Sequence, residues 1–176
     1  MAHHEIVIAG FGGQGLLFTG KVLAYAGLLE NRELSWLPSY GPEMRGGTAN
    51  CNVILSDDPV GSPIVDHPNV LVVMNAPSLD KYENAVAPGG KIFLDSTLIT
   101  RKVARDDVDV FYIPATQMAA DMGINGLANM ILLGAVIHET ACISEDTLDR
   151  ENSVFAPRYA SIRRPAFCSS TINSII

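Results

Sequence analysis

The sequence predicts an α/β layer fold with a mainly parallel sheet, and three observations carry that prediction. Short β-branched and aliphatic runs alternate with stretches of helical length along most of the chain. A glycine-rich turn follows the first apolar run and opens the first helix. No internal repeat or flexible linker divides the 176 residues, so 1–176 reads as a single domain.

The elements follow in order. Glu5 to Gly10 is a buried strand, and Gly10-Phe11-Gly12-Gly13-Gln14-Gly15 is a tight turn. Leu16 to Leu29 is a helix whose apolar face runs through Phe18, Val22, Tyr25 or Ala26, and Leu29. Leu34 to Leu37 is a second strand, which Pro38 is expected to stop. Ser39 to Thr48 is glycine-rich and irregular. Ala49 to Leu55 alternates, with Ala49, Cys51, Val53 and Leu55 on one face. Val70 to Met74, Lys91 to Asp95 and Val108 to Ile113 complete the strands. Pro77 to Val86, Ala115 to Met122 and Leu127 to Glu139 are helices, and Ser144-Glu145-Asp146-Thr147 opens a last one with a capping signal. From about Asn152 the periodicity fades, leaving 152–176 as a poorly defined tail.

Composition narrows the function. Charged residues make up 18%, against a usual share of about 25%, and the formal net charge is −7. That balance speaks against a nucleic-acid partner, which requires a basic stripe. Hydrophobic residues at 48% rule out disorder. No apolar run approaches the roughly 18 residues that span a bilayer, and no targeting segment opens the chain, so the expected setting is cytoplasmic. The three cysteines, Cys51, Cys142 and Cys168, form no C-x-x-C pair. They cannot hold a four-cysteine iron–sulfur cluster on this chain alone, and no metal site is expected.

Gly10, Gly12 and Gly15 fit G-x-G-x-x-G between a strand and a helix. Such a turn lets backbone approach an anion at a helix N-terminus, or it is simply a tight turn that binds nothing. A nicotinamide site also needs an acid at the end of the second strand, where this chain has Pro38-Ser39-Tyr40; Glu30 and Glu33 come too early. Gly15 to Lys21 resembles P-loop spacing, but Val22 stands where Ser or Thr must bind magnesium. Ser39 to Thr48 packs a phenol, a carboxylate, a guanidinium and three glycines into ten residues. Glu43 and Arg45 either pair at the surface or serve a ligand, and Arg45 is the candidate for an anionic group because a guanidinium binds phosphate or carboxylate as a fork.

Gly10 to Gly15, then Pro38-Ser-Tyr-Gly-Pro-Glu-Met-Arg-Gly-Gly-Thr-Ala-Asn-Cys51, resembles the gamma subunit of 2-oxoacid:ferredoxin oxidoreductases. Ser56-Asp57, Gly61-Ser62-Pro63, Met74 to Leu79 and Asn129 to Gly134 extend the likeness across roughly Glu5 to Thr147. The resemblance implies a Rossmann-like three-layer domain with helices on both faces. It implies an enzyme that oxidatively decarboxylates a 2-oxoacid to acyl-coenzyme A and passes electrons to ferredoxin. Glu43 to Thr48 is more like the 2-oxoglutarate and branched-chain members, which points to 2-oxoglutarate. The implied partners are alpha, beta and delta subunits, with thiamine diphosphate, magnesium, iron–sulfur clusters and coenzyme A on or shared with those chains. None of these is expected on this chain alone, which is expected to be inactive by itself and to self-associate when its partners are missing.

The cofactor-facing candidates are Gly10, Gly12, Gly13, Gln14, Gly15, Tyr40, Glu43, Arg45, Gly46, Gly47 and Thr48. Both loops are expected to lie side by side beyond the carboxyl edge of the sheet, either touching a ligand or only docking on partner subunits. No residue is expected to be catalytic. Two other classes stand beside this reading: an NAD-dependent dehydrogenase, and a non-enzymatic ligand-binding scaffold built on the same Rossmann module.

Overall fold

The computed structural model describes residues 3–39, 48–124, 126–144 and 147, with residue 48 described by its backbone. Six strands form one sheet in the order β2-β3-β1-β4-β5-β6. They are β1 (His3–Phe11), β2 (Glu33–Ser39), β3 (Thr48–Ser56), β4 (Val70–Val73), β5 (Lys91–Asp95) and β6 (Asp109–Ile113). The helices are α1 (Leu16–Leu29), α2 (Ala76–Tyr82), α3 (Ala115–Asp121) and α4 (Ala128–Thr140).

Strand β1 pairs in parallel with β4, β4 with β5, and β5 with β6. Strand β3 is antiparallel to both neighbours, β1 and β2. Strand β2 therefore runs the same way as β1, and β3 alone is reversed among the six. The sheet is mixed and mostly parallel, and helices cover both faces. Ile6, Ile8, Val70, Val72 and Phe93 share one core with α1, α3 and α4. Val7, Ala9, Leu71, Val73, Ile92 and Leu94 share the other with Leu79 of α2. Alternate side chains of β1 and β4 are buried on opposite faces, which explains their unbroken apolar runs.

Two expectations need correction. Pro38 does not stop β2, which runs on to Ser39. β2 lies at the edge of the sheet, so the missing proline N–H can face outward without breaking the ladder. The buried stripe of α1 is the expected one only in part: Val22 and Ala26 are buried and Phe18 packs against the core, but the face is wider and shifted. Leu16, Thr19, Gly20, Leu23, Ala26 and Gly27 face inward, while Tyr25 and Leu29 are exposed. Small residues win that face because the helix lies close on β3. A Cβ at Gly20 would sit 2.5 Å from Cys51 Sγ, and one at Gly27 2.5 Å from Leu55 Cδ2.

The β5–β6 crossover, residues 96–108, contains no helix. Its apolar residues Ile99, Val103 and Val108 join the second core. Glu83, buried in a 3-10 turn after α2, anchors it by accepting from Arg101 Nη2 at 2.7 Å and Ala104 N at 2.5 Å. Beyond α4, the backbone of Cys142 accepts from Arg32 Nη1 at 2.8 Å, and Ser144 N donates to Glu30 Oε1 at 2.7 Å. Those bonds fasten the departing chain to the α1–β2 turn. The last helix expected from Ser144, and the tail 152–176, lie outside the described residues apart from Thr147, whose N–H meets Ser144 Oγ at 3.3 Å.

Candidate functional site

The site is built where β1 and β4 end. After β1 the chain turns into α1, on one face of the sheet; after β4 it turns into α2, on the other. Two adjacent parallel strands whose helices depart to opposite faces leave a crevice beyond their carboxyl ends, where ligands of open α/β sheets bind. The glycine turn borders that crevice. Gly13 and Gly15 have φ of 89° and 78°, a left-handed backbone that side chains rarely adopt. Gly15 is the residue that caps α1, and the first turn of that helix leaves N–H groups without intrahelical acceptors.

Gln14 folds back into the crevice. Its Oε1 accepts from Phe11 N at 2.6 Å and its Nε2 donates to Met74 O at 3.0 Å. The ends of β1 and β4 are thereby bridged by one side chain. Asn129, from the first turn of α4, supports the turn from beneath. Its Nδ2 donates to Gly15 O at 3.3 Å and to Thr19 Oγ1 at 3.0 Å, while its Oδ1 is buried without a partner. At the end of β4, Asn75 caps α2 by accepting from Ser78 N at 2.8 Å, and Asn75 Nδ2 and Ser78 Oγ are buried without partners.

Ser39 and Thr48 bound the second candidate loop. Thr48 pairs with Phe11 across the β1–β3 ladder, and Ser39 pairs with Asn50. Ser39 and Thr48 therefore stand at the same edge of the sheet as the glycine turn. Tyr40, Glu43, Arg45, Gly46 and Gly47 lie outside the described residues, as does the side chain of Thr48.

Asp95, at the end of β5, is fully buried and serves as a structural cap. It accepts from Thr97 N at 3.0 Å, Thr116 N at 3.1 Å and Thr116 Oγ1 at 2.5 Å. Cys51 is packed against α1, and burial pushes its thiol up to about 12. Burial also raises the Cys142 thiol. Neither is an activated nucleophile. His67 meets the Ala85 carbonyl at 3.3 Å in a turn. Among the described residues, no three His, Cys, Asp or Glu side chains converge as metal ligands, and no helix is long and apolar enough to cross a membrane.

The sheet order weakens the nicotinamide reading further. β3 intervenes between β1 and β2, so the end of β2 stands about 10 Å from β1 and carries no acid there. Glu33 is the first residue of β2, at the opposite end of the strand. Sequence reasoning missed Asn129 and Asn75 as parts of this edge. The signal was present for Asn129, a polar residue heading the apolar run Met130 to Ile137, and for Asn75, an N-cap residue two positions ahead of Pro77.

A glycine turn at the switch point of a sheet covered on both faces defines a Rossmann-like α/β domain. The chain belongs to the pyruvate ferredoxin/flavodoxin oxidoreductase family, whose model matches residues 5–153, and it stands with the gamma subunits. It is 47% identical over 133 residues to the ketoisovalerate oxidoreductase subunit VorA of Methanothermobacter thermautotrophicus, covering 76% of this chain but 28% of that protein. It is 36% identical over 149 residues to the 2-oxoglutarate synthase subunit KorC of Methanocaldococcus jannaschii, covering 83% of this chain and 80% of that one. The keto/oxoacid ferredoxin oxidoreductase gamma subunit of Geobacter sulfurreducens has the same fold, with a TM-score of 0.80 at 27% identity over 97% of this chain and 96% of its own.

Proposed function

We propose that this chain is the gamma subunit of a multi-subunit enzyme that oxidatively decarboxylates a 2-oxoacid, transfers the acyl group to coenzyme A and reduces ferredoxin. The observation that carries this reading is the near full-length likeness to the 2-oxoglutarate synthase subunit of similar size. That relative favours 2-oxoglutarate as substrate. The 47% identity to the VorA subunit favours the branched-chain acid ketoisovalerate as the second reading. Alpha, beta and delta subunits in a cytoplasmic complex would bring thiamine diphosphate, magnesium and the iron–sulfur clusters.

This chain's contribution is the carboxyl edge of its sheet. Gly10, Gly12, Gly13, Gln14 and Gly15 would form one wall of a coenzyme A-facing surface, and Tyr40, Glu43, Arg45, Gly46, Gly47 and Thr48 the other. The donors of the first α1 turn suit the phosphates of coenzyme A, and the Arg45 guanidinium suits a phosphate as a fork. The group supplies the thiol that accepts the acyl fragment; these residues would together shape the surface that binds and orients it. Co-expression of this chain with its partner subunits tests the proposal. The purified complex is expected to reduce ferredoxin only when both a 2-oxoacid and coenzyme A are present. Within it, Arg45→Ala is expected to weaken coenzyme A affinity. Unchanged affinity together with unchanged assembly removes the ligand role of Arg45.

A further inference from the structure

The geometry points to Gln14 as a positioning residue that fills the switch-point crevice with the protein's own amide and so sets the shape of the glycine turn that meets coenzyme A. The inference rests on the gamma-subunit reading. Three observations lead to it. The side chain spans from Phe11 N at 2.6 Å to Met74 O at 3.0 Å, joining the ends of the two strands that flank the crevice. Gly10 is bare because of it: a Cβ there would stand 2.5 Å from Gln14 Oε1 and 3.1 Å from Met74 Cβ. The first glycine of the motif thus makes room for a side chain of the same chain rather than for a ligand. Gly13, at φ 89° and with open space for 4 Å around the place a Cβ would take, supplies the reversal that brings residue 14 back over the strand ends.

A side-chain amide of this length satisfies both contacts at neutral pH. An N–H at the end of β1 needs an acceptor, and a C=O at the end of β4 needs a donor. Glutamine carries both on one planar group. A carboxylate would accept from Phe11 N but face the Met74 carbonyl without a proton, whereas the neutral carboxylic acid could make both bonds. With the crevice filled, a ligand at this edge meets the outer surface of the turn, and the position of that surface depends on Gln14.

The test is steady-state kinetics on the assembled complex. Gln14→Ala is expected to raise the KM for coenzyme A about tenfold while kcat stays within about twofold, the signature of lost uniform binding. Gln14→Glu is expected to raise KM in the same way near neutral pH and to recover toward the parent value on acidification, a pH profile that Gln14→Ala lacks. A KM for coenzyme A unchanged in Gln14→Ala overturns the inference, as does a loss confined to kcat. Should Gln14→Ala fail to assemble, Gln14→Glu decides: recovery of KM with acid supports the inference, and a pH-independent ratio to the parent overturns it. A parent complex that turns over without coenzyme A overturns the gamma-subunit reading instead, whatever Gln14 does.

Discussion

Phe11 and Thr48 are cross-strand partners at the last rung of the β1–β3 ladder. Phe11 leads into the glycine turn, and Thr48 receives the chain from the second loop. A reversed strand next to β1 makes this possible. Were β3 parallel to β1, Thr48, as its first residue, would lie at the opposite edge of the sheet. The glycine turn and Thr48, which follows the second informative segment of the sequence, are therefore brought to one edge by a single departure from parallel topology.

The glycine turn should distinguish its own glycines. Gly13→Ala meets open space, so the left-handed backbone alone costs roughly 1–2 kcal/mol. Gly15→Ala places a Cβ 2.6 Å from Asn129 Nδ2 and forces that side chain off Gly15 O and Thr19 Oγ1, for about 2–4 kcal/mol in total. Thermal or chemical unfolding should rank the two variants in that order. Adding Asn129→Ala to Gly15→Ala should cost less than the sum of the single changes, because the two residues touch.

Gly20→Ala tests the close approach of α1 to the sheet. Helix propensity alone favours alanine by about 1 kcal/mol. The new Cβ would stand 2.5 Å from Cys51 Sγ and 3.0 Å from Trp36 Nε1, so net destabilisation of about 1–3 kcal/mol is expected from overpacking. Unfolding of Gly20→Ala, alone and with Cys51→Ala, should show partial relief in the double variant.

Asp95→Ala should be among the more damaging single changes. It removes a fully buried acceptor from Thr97 N, Thr116 N and Thr116 Oγ1, three part-buried hydrogen bonds at once. A loss of roughly 3 kcal/mol follows, with the turn after β5 and the start of α3 losing amide protection together. Hydrogen exchange at Thr97 and Thr116 reads this directly.

Acid should weaken the fold in two stages. Burial, with the Arg32 charge, holds His4 below its ordinary value of 6.5. The unfolded chain therefore takes up that proton first, and the stability held above 6.5 is lost as pH falls below it. Burial alone would raise Glu30, but hydrogen bonds from Ser144 and Thr147 and the Arg32 charge together outweigh burial and hold it below 4.5. Its contribution is present above 4.5 and disappears as pH falls through the lower folded value. The melting temperature should decline in both windows, and His4→Gln should remove the upper decline only.

Most of the fold was legible because its strands are short apolar runs or, in β3, a clean apolar–polar alternation, and its turns carry glycine, proline and asparagine. The bounds of α1 were recovered residue for residue, since Gly15 and the apolar spacing mark them. Its buried face was recovered only in part, at Val22 and Ala26, because Gly20 and Gly27 contribute closeness rather than hydrophobicity, and periodicity weighs only the latter. Pro38 misled because the rule against proline depends on whether a strand is at an edge, which is a property of the sheet and not of the segment. Both loops were expected beyond one edge of the sheet; the register that sets Ser39 and Thr48 at the edge of the glycine turn required strand order, and 40–47 lie outside the described residues. The roles of Gln14 and Asn129 depend on contacts across 60 and 114 residues of chain, beyond the reach of local pattern.

The central claim is that this chain is a working part of a 2-oxoacid:ferredoxin oxidoreductase. The most direct measurement is ferredoxin reduction by the complex reconstituted with and without this chain, with 2-oxoglutarate or ketoisovalerate and coenzyme A as substrates. Coenzyme A-dependent reduction that requires this chain is expected. Equal activity in its absence would contradict the claim, as would hydride transfer from NADH by the isolated chain.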